Sequence, residues 1–224
     1  DIEKKVPVTP DTLFELGSCT KAFTALAAVQ LKKDGLIRFD DTVSRYFPGF
    51  FAMYDGRKYR VTIEQLLRQT SGIPWNAVSL IPTGNEADAP EQTVKNLEGI
   101  ELQAVPGENF LYSTANYAVV GAIIEKASGM TYDEYMVKNI FRPLGLDNTG
   151  VGTDQAHPPQ NMATGYKIGF FTPRPYAAPA YRGNHAAGYV VSNGKDVARW
   201  LKLLVGSIDT PLRPMIEETL RPDL

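Results

Sequence analysis

Residues 14–35 read FELGSCTKAFTALAAVQLKKDG, and this stretch decides how the rest of the chain is read. From Ser18 to Lys33, Phe23, Leu26, Ala27 and Leu31 recur at helical spacing, and Gly35 is placed to stop the helix. Ser18 falls at the N-terminal end of that helix, with Lys21 three residues on. Residues i and i+3 share one helix face, about 5–6 Å apart at Cβ. A serine hydroxyl becomes a good nucleophile only when a neighbour takes its proton, which a lysine amine can do if burial or nearby positive charge lowers its pKa. The positive end of the helix also favours developing negative charge. Taken alone, Ser18-x-x-Lys21 is a weak pattern, more simply read as a capping serine beside a solvent-facing lysine.

Outward from this helix, the first twelve residues are polar and extended, with Pro7 and Pro10. Residues 40–59 are punctuated by Pro48, Gly49, Asp55 and Gly56 and read as loop with short elements. Residues 61–69, VTIEQLLRQ, predict a short helix with Thr62 as N-cap, ended by the turn TSGIP. A modest helix is expected around Gln92–Leu97 and a strong one over Ala115–Ser128, closed by Gly129. Thr131 and Glu134 fit a capping box for a helix running to about Phe141. Residues 150–185, rich in Pro, Gly and Tyr, are expected to be folded but irregular, and Asp196–Leu204 to be an amphipathic helix.

The composition excludes several function classes. With 23 basic and 25 acidic residues the chain carries a net charge of -2, so no basic stripe marks a nucleic-acid surface. Cys19 is the single cysteine, which removes an internal disulfide framework and a cysteine metal cluster. No apolar run reaches the roughly 18–20 residues of a membrane helix. The N-terminal DIEKKVPVTPDT is charged and is not a signal peptide.

Five segments, in order, resemble the serine β-lactamase and penicillin-binding-protein family, in its class C, D-aminopeptidase and esterase branch. They are TPDTLFELGSCTKAFTALA (9–27), LIRFDDTVSRYFPGF (36–50), VTIEQLLRQTSGIP (61–74), the long stretch from Pro106 to Thr149, and HAAGYVVSNGKDVARWLKLL (185–204). The S-x-x-K signature is a known mark of this group. The resemblance implies an α+β, β-lactamase/transpeptidase-like fold, an antiparallel sheet flanked by helices plus an all-helical domain. The chain is expected to form one such domain over residues 1–224, covering mainly the helical part and lacking N-terminal strands and the C-terminal strands that carry the family's third motif. It implies Ser18 as nucleophile, Lys21 and Tyr112 as the proton-transfer pair, and Thr114 as a substrate-binding residue.

Two departures stand out. The family's Y-[SA]-N reads Tyr112-Ser113-Thr114 here, which puts substrate choice in question more than the chemistry. Gln69 stands where histidine is usual in H-T-S-G. His185 is expected to be structural or at the rim, His157 to lie in a loop, and Cys19 to be a small packed side chain. No metal or cofactor is implied. The implied function is a serine hydrolase acting through an acyl-enzyme on amide, lactam or ester bonds of a small-molecule or peptide substrate, D-amino-acid peptidase-like, carboxypeptidase-like or β-lactamase-like, with esterase as an alternative. A penicillin-binding or sensor homologue without turnover is a second reading. A third is a helical partner for a second chain that supplies the remainder of the fold. The family also implies a bacterial periplasmic, cell-surface or secreted location.

Overall fold

A computed structural model describes residues 1–152, 161–179 and 181–221. The strands are β1 (Leu13–Glu15), β2 (Ala52–Tyr54), β3 (Arg57–Tyr59), β4 (Ile100–Glu101), β5 (Gly150–Val151), β6 (Tyr166–Gly169), β7 (Thr172–Pro175) and β8 (Val190–Asn193). The first five helices are α1 (Thr20–Lys33), α2 (Val43–Tyr46), α3 (Ile63–Leu67), α4 (Ala89–Asn96) and α5 (Thr114–Ser128). The rest are α6 (Tyr132–Met136), α7 (Arg142–Leu144), α8 (His185–Gly188), α9 (Gly194–Leu204) and α10 (Arg213–Thr219). The elements form an α+β arrangement in which helices and three small sheets lie side by side.

α5 organises the core. Its residues from Ala115 to Ile124 are buried without a break, and a helix apolar all round must be enclosed on every side. Here α1, α3, α4 and α8 enclose it. A close approach occurs at Gly121, where an added Cβ would lie 2.5 Å from the Ala186 Cβ of α8. On the far side of α1, Phe23 meets Phe141 edge-on at 5.6 Å and Trp200 at 4.5 Å. That contact ties α1 to α9 and to the π-helical turn Val137–Phe141 between α6 and α7.

The first sheet runs β1–β8–β5, antiparallel throughout. β1 is therefore pinned beside β8, and the chain leaves it directly into α1. β2 and β3 form a hairpin extended by β4, parallel to β2.

The capping signals fall where their chemistry places them. Thr62 accepts from Gln65 N and Thr131 from Glu134 N, each a complete capping box. Asn193 caps α9 by accepting from Asp196 N. The expected helix over 61–69 is shorter, because Arg68 closes it and Gln69 turns to φ +61°. The expectation that residues 150–185 are irregular is corrected by the hairpin β6–β7. Its strands carry Pro173 and Pro175, which hid the pattern, but these alternate with residues that can bond across the ladder. His157 lies outside the described residues.

Candidate active site

Ser18 owes its position to β1. Leu16 N donates to Val190 O of β8, and Gly17 at φ +54° then swings the chain into the tight turn Gly17–Cys19 ahead of α1. Glycine takes that left-handed backbone without a Cβ penalty. Ser18 is exposed on the turn.

Lys21 sits in the first turn of α1 and is only 8% exposed, so the reading of a solvent-facing lysine fails. Its Nζ donates to Ser18 Oγ at 3.0 Å and to the Ala187 carbonyl at 2.7 Å. Two neighbours repeat this attachment. Thr24 Oγ1 donates to Ala186 O at 2.7 Å and contacts the Tyr132 hydroxyl at 2.8 Å, while Val190 N donates to Thr20 Oγ1 at 3.0 Å. The first two turns of α1 are thus stitched to residues 186–190. Nothing in the sequence singled out the Ala187 carbonyl, because any residue type carries one. The one available signal was the family likeness of the 185–204 segment.

Tyr112 arrives from the other side, two residues before α5. Its hydroxyl donates to Ser18 Oγ at 2.8 Å, and Lys21 Nζ lies 5.1 Å from its ring centroid. Ser18, Lys21 and Tyr112 therefore meet at one oxygen. Thr114, the first residue of α5, is half-buried two residues beyond Tyr112 and contributes to lowering that tyrosine's pKa.

Two tyrosines flank Lys21, and their environments differ in sign. Burial pushes Tyr117 up to about 12, reinforced by Tyr112, and its hydroxyl is occupied by Leu67 O at 3.0 Å. Burial also opposes ionisation of Tyr112, but interactions with Lys21, Ser18 and Thr114 outweigh it, so its pKa is lowered. A cation beside a phenol stabilises the phenolate. Tyr112 is the tyrosine eased toward giving and taking a proton.

Asn116 does not take the place of the absent Y-x-N asparagine. It is buried, accepts from Ser71 Oγ at 2.6 Å and donates to Gln69 Oε1 at 2.6 Å. His185 faces the Asp133 carboxylate at 2.9 Å, on the side of α8 that meets α6. Cys19 is a correction: it is exposed, not packed. The tight turn before α1 leaves residue 19 exposed, where the family likeness implies a small packed side chain.

The Beta-lactamase family model matches residues 1–223. The chain belongs to that family. Protein flp of Staphylococcus aureus (strain MRSA252) is 32% identical over 209 residues, covering 93% of this chain and 42% of flp. The chain thus spans less than half the length of that relative. The octameric penicillin-binding protein homologue from Pyrococcus abyssi superimposes with a TM-score of 0.76 at 30% identity, over 96% of this chain and 50% of that one. A D-amino acid amidase from Ochrobactrum anthropi SV3, solved with L-phenylalanine amide, gives 0.71 at 28% identity over 92% of this chain and 59% of its own. The fold of this Beta-lactamase-family chain is the β-lactamase/transpeptidase type, and its structural neighbours include an amidase and a hydrolase with promiscuous acyltransferase activity. Among the described residues no helix is long and apolar enough to cross a membrane.

Proposed function

We propose that the chain carries the nucleophile and proton-transfer half of an acyl-enzyme hydrolase. The observation that carries this is the convergence of Lys21 Nζ and Tyr112 Oη on Ser18 Oγ, at 3.0 and 2.8 Å. Ser18 Oγ attacks the carbonyl carbon of an amide, lactam or ester. Its proton passes to the Tyr112–Lys21 unit as the new C–O bond forms. The same unit returns a proton to the leaving nitrogen or oxygen as the scissile bond breaks, leaving the acyl group on Ser18. Water then repeats the sequence and releases the acid. The developing oxyanion needs main-chain N–H donors, and removing one typically costs about 10²–10³-fold in kcat. The Ser18 N–H is one. By resemblance, a strand of the remaining fold, in the same polypeptide or in a second chain, supplies the other.

The leading substrate class is a D-amino-acid amide or peptide, supported by the structural likeness to the D-amino acid amidase, with β-lactams and esters next. A specific observation favours a second reading, acylation without turnover. Thr114 replaces the asparagine of Y-x-N and offers one hydroxyl where an amide offers two ends. The family likeness further supports an extracytoplasmic site of action.

A fluorophosphonate probe tests the reading in the full-length protein. One adduct per chain, mapped by mass spectrometry to Ser18 and lost in Ser18→Ala, is expected. Because Cys19 is exposed, a label on that thiol would overturn the assignment. Product formation from a D-amino-acid amide that continues past one equivalent supports the hydrolase, and a stop at one equivalent supports the non-turnover reading.

A further inference from the structure

Tyr112 is 46% exposed, so its ring is not held by a packed core. Its place must be set through the backbone on either side, and both sides lead to Gln69. Leu111 N donates to the Gln69 main-chain carbonyl at 2.8 Å, and Ser113 N donates to the Gln69 side-chain Oε1 at 2.9 Å. One residue therefore clips the chain immediately before and immediately after the tyrosine. We infer that Gln69 is the positioning residue of Tyr112, an inference that rests on the reading that Tyr112 moves the Ser18 proton.

Three further observations support this. First, Gln69 is 5% exposed and held at φ +61°, a backbone region uncommon for any residue but glycine and one that costs conformational energy. Second, the amide orientation is forced. A main-chain N–H only donates, so oxygen must face Ser113, and Asn116 Nδ2 donates to the same oxygen at 2.6 Å. Gln69 Nε2 is then buried without a hydrogen-bond partner. Leaving a buried donor unsatisfied is unfavourable, and here it accompanies an acceptor fixed in one spot. Third, the turn that begins at Gln69 templates the whole approach to Tyr112. Gln103 N donates to Gly72 O at 2.9 Å and Gly107 N to Thr70 O at 2.7 Å, so residues 103–111 are held along the same turn as the Gln69 contacts.

Gln69 touches no reacting atom, so its effect belongs in the rate of proton transfer and not in substrate binding. The test measures the first-order acylation rate constant of the full-length protein at saturating fluorophosphonate, a quantity that counts only folded molecules. Gln69→Leu keeps the volume and removes the acceptor. It should slow acylation by about 10–100-fold, since a displacement near 1 Å can cost about 10²-fold, with half-saturation unchanged. Gln69→Gly relieves the positive φ and keeps the main-chain clip, so it serves where the leucine variant does not fold, with the same slowing expected. Gln69→His should restore the rate above about pH 7. It should add an acid limb near an imidazole pKa of about 6.5, where protonation removes the acceptor. Tyr112→Phe is measured alongside. A slow Tyr112→Phe with Gln69→Leu or Gln69→Gly at the wild-type rate overturns the positioning role. A Tyr112→Phe that acylates at the wild-type rate overturns the underlying reading of Tyr112 itself.

Discussion

The corner around Ser18 and the β6–β7 hairpin are built on opposite principles. At the corner, residues from the start of α1, the approach to α5, the 69–74 turn and α8 are joined by hydrogen bonds, most of them buried, and Ser18 Oγ sits where these segments meet. The hairpin carries Phe170 at 90% and Phe171 at 100% exposure. Its base is tied to the N-terminal segment by the Tyr166 hydroxyl, which donates to Glu3 and accepts from Ile2 N. Moving a corner residue disturbs several elements at once, whereas moving a hairpin residue disturbs its own turn. Local stability in proteins is uneven in this way, tracking buried contacts.

The largest effect should come from removing the proton-transfer unit. Lys21→Ala and Tyr112→Phe are each expected to slow acylation by roughly 10²–10⁴-fold, the usual range of general-base help. Because the two groups act together, the double variant should be little slower than the poorer single. Rapid-quench labelling measures all three, and losses that multiply would break the picture of one corner acting as a unit.

A smaller loss is expected from the packing that presents Ala187 to Lys21. Gly121→Ala would bring its Cβ to 2.5 Å from the Ala186 Cβ, so α5 and α8 must separate. Overpacking of this kind costs about 1–3 kcal/mol, more than the roughly 1 kcal/mol that alanine returns over glycine in a helix. The denaturation midpoint should fall with an unchanged slope. Acylation should slow as well, because α8 carries the carbonyl that holds Lys21 Nζ.

The pH dependence sharpens the contrast between the two tyrosines beside Lys21. Tyr112 is shifted below the ordinary tyrosine value of about 10. If its phenolate takes the Ser18 proton, acylation should rise about tenfold per pH unit and level off below that value. Tyr112→Phe should lose this limb. Tyr117→Phe should keep it, since Tyr117 stays protonated over the same range.

Much of the corner was legible in the sequence because two of its residues are local. Ser18 and Lys21 lie one helical turn apart, and spacing alone places them on one face. Tyr112 is 94 positions from Ser18 and came only from the family likeness, not from periodicity. The Ala187 carbonyl and the double role of Gln69 were invisible, since one is a main-chain atom and the other depends on a positive φ that a glutamine after a helical run does not signal. Cys19 was misplaced because its packing rested on the family likeness, which does not show that the turn Gly17–Cys19 leaves residue 19 exposed. The N-cap at Thr62 and the capping box at Thr131 were readable because their chemistry is complete within four residues; that Gln65 completes a box at Thr62 as well emerged only from the structure.

The smallest effect is expected at the hairpin tip. Gly169 pairs with Thr172, leaving Phe170 and Phe171 as a two-residue loop with φ of +50° and +65°. Positive φ at both central positions is the requirement of a type I′ turn, which favours Asn followed by Gly. Two phenylalanines there are strained and leave their rings in solvent, although Arg174 approaches the Phe170 ring at 6.0 Å. The double variant Phe170→Asn with Phe171→Gly should therefore be as stable as the wild type or more stable by about 0.5–1 kcal/mol. The gain from relieved backbone strain is partly offset by the greater unfolded-state freedom of glycine. Acylation should stay at the wild-type rate, because none of the residues that hold Ser18, Lys21 or Tyr112 lies in the hairpin. A clear loss of activity in this variant would mean that the exposed rings reach a substrate or another part of the protein, and the separation between the two regions would no longer stand.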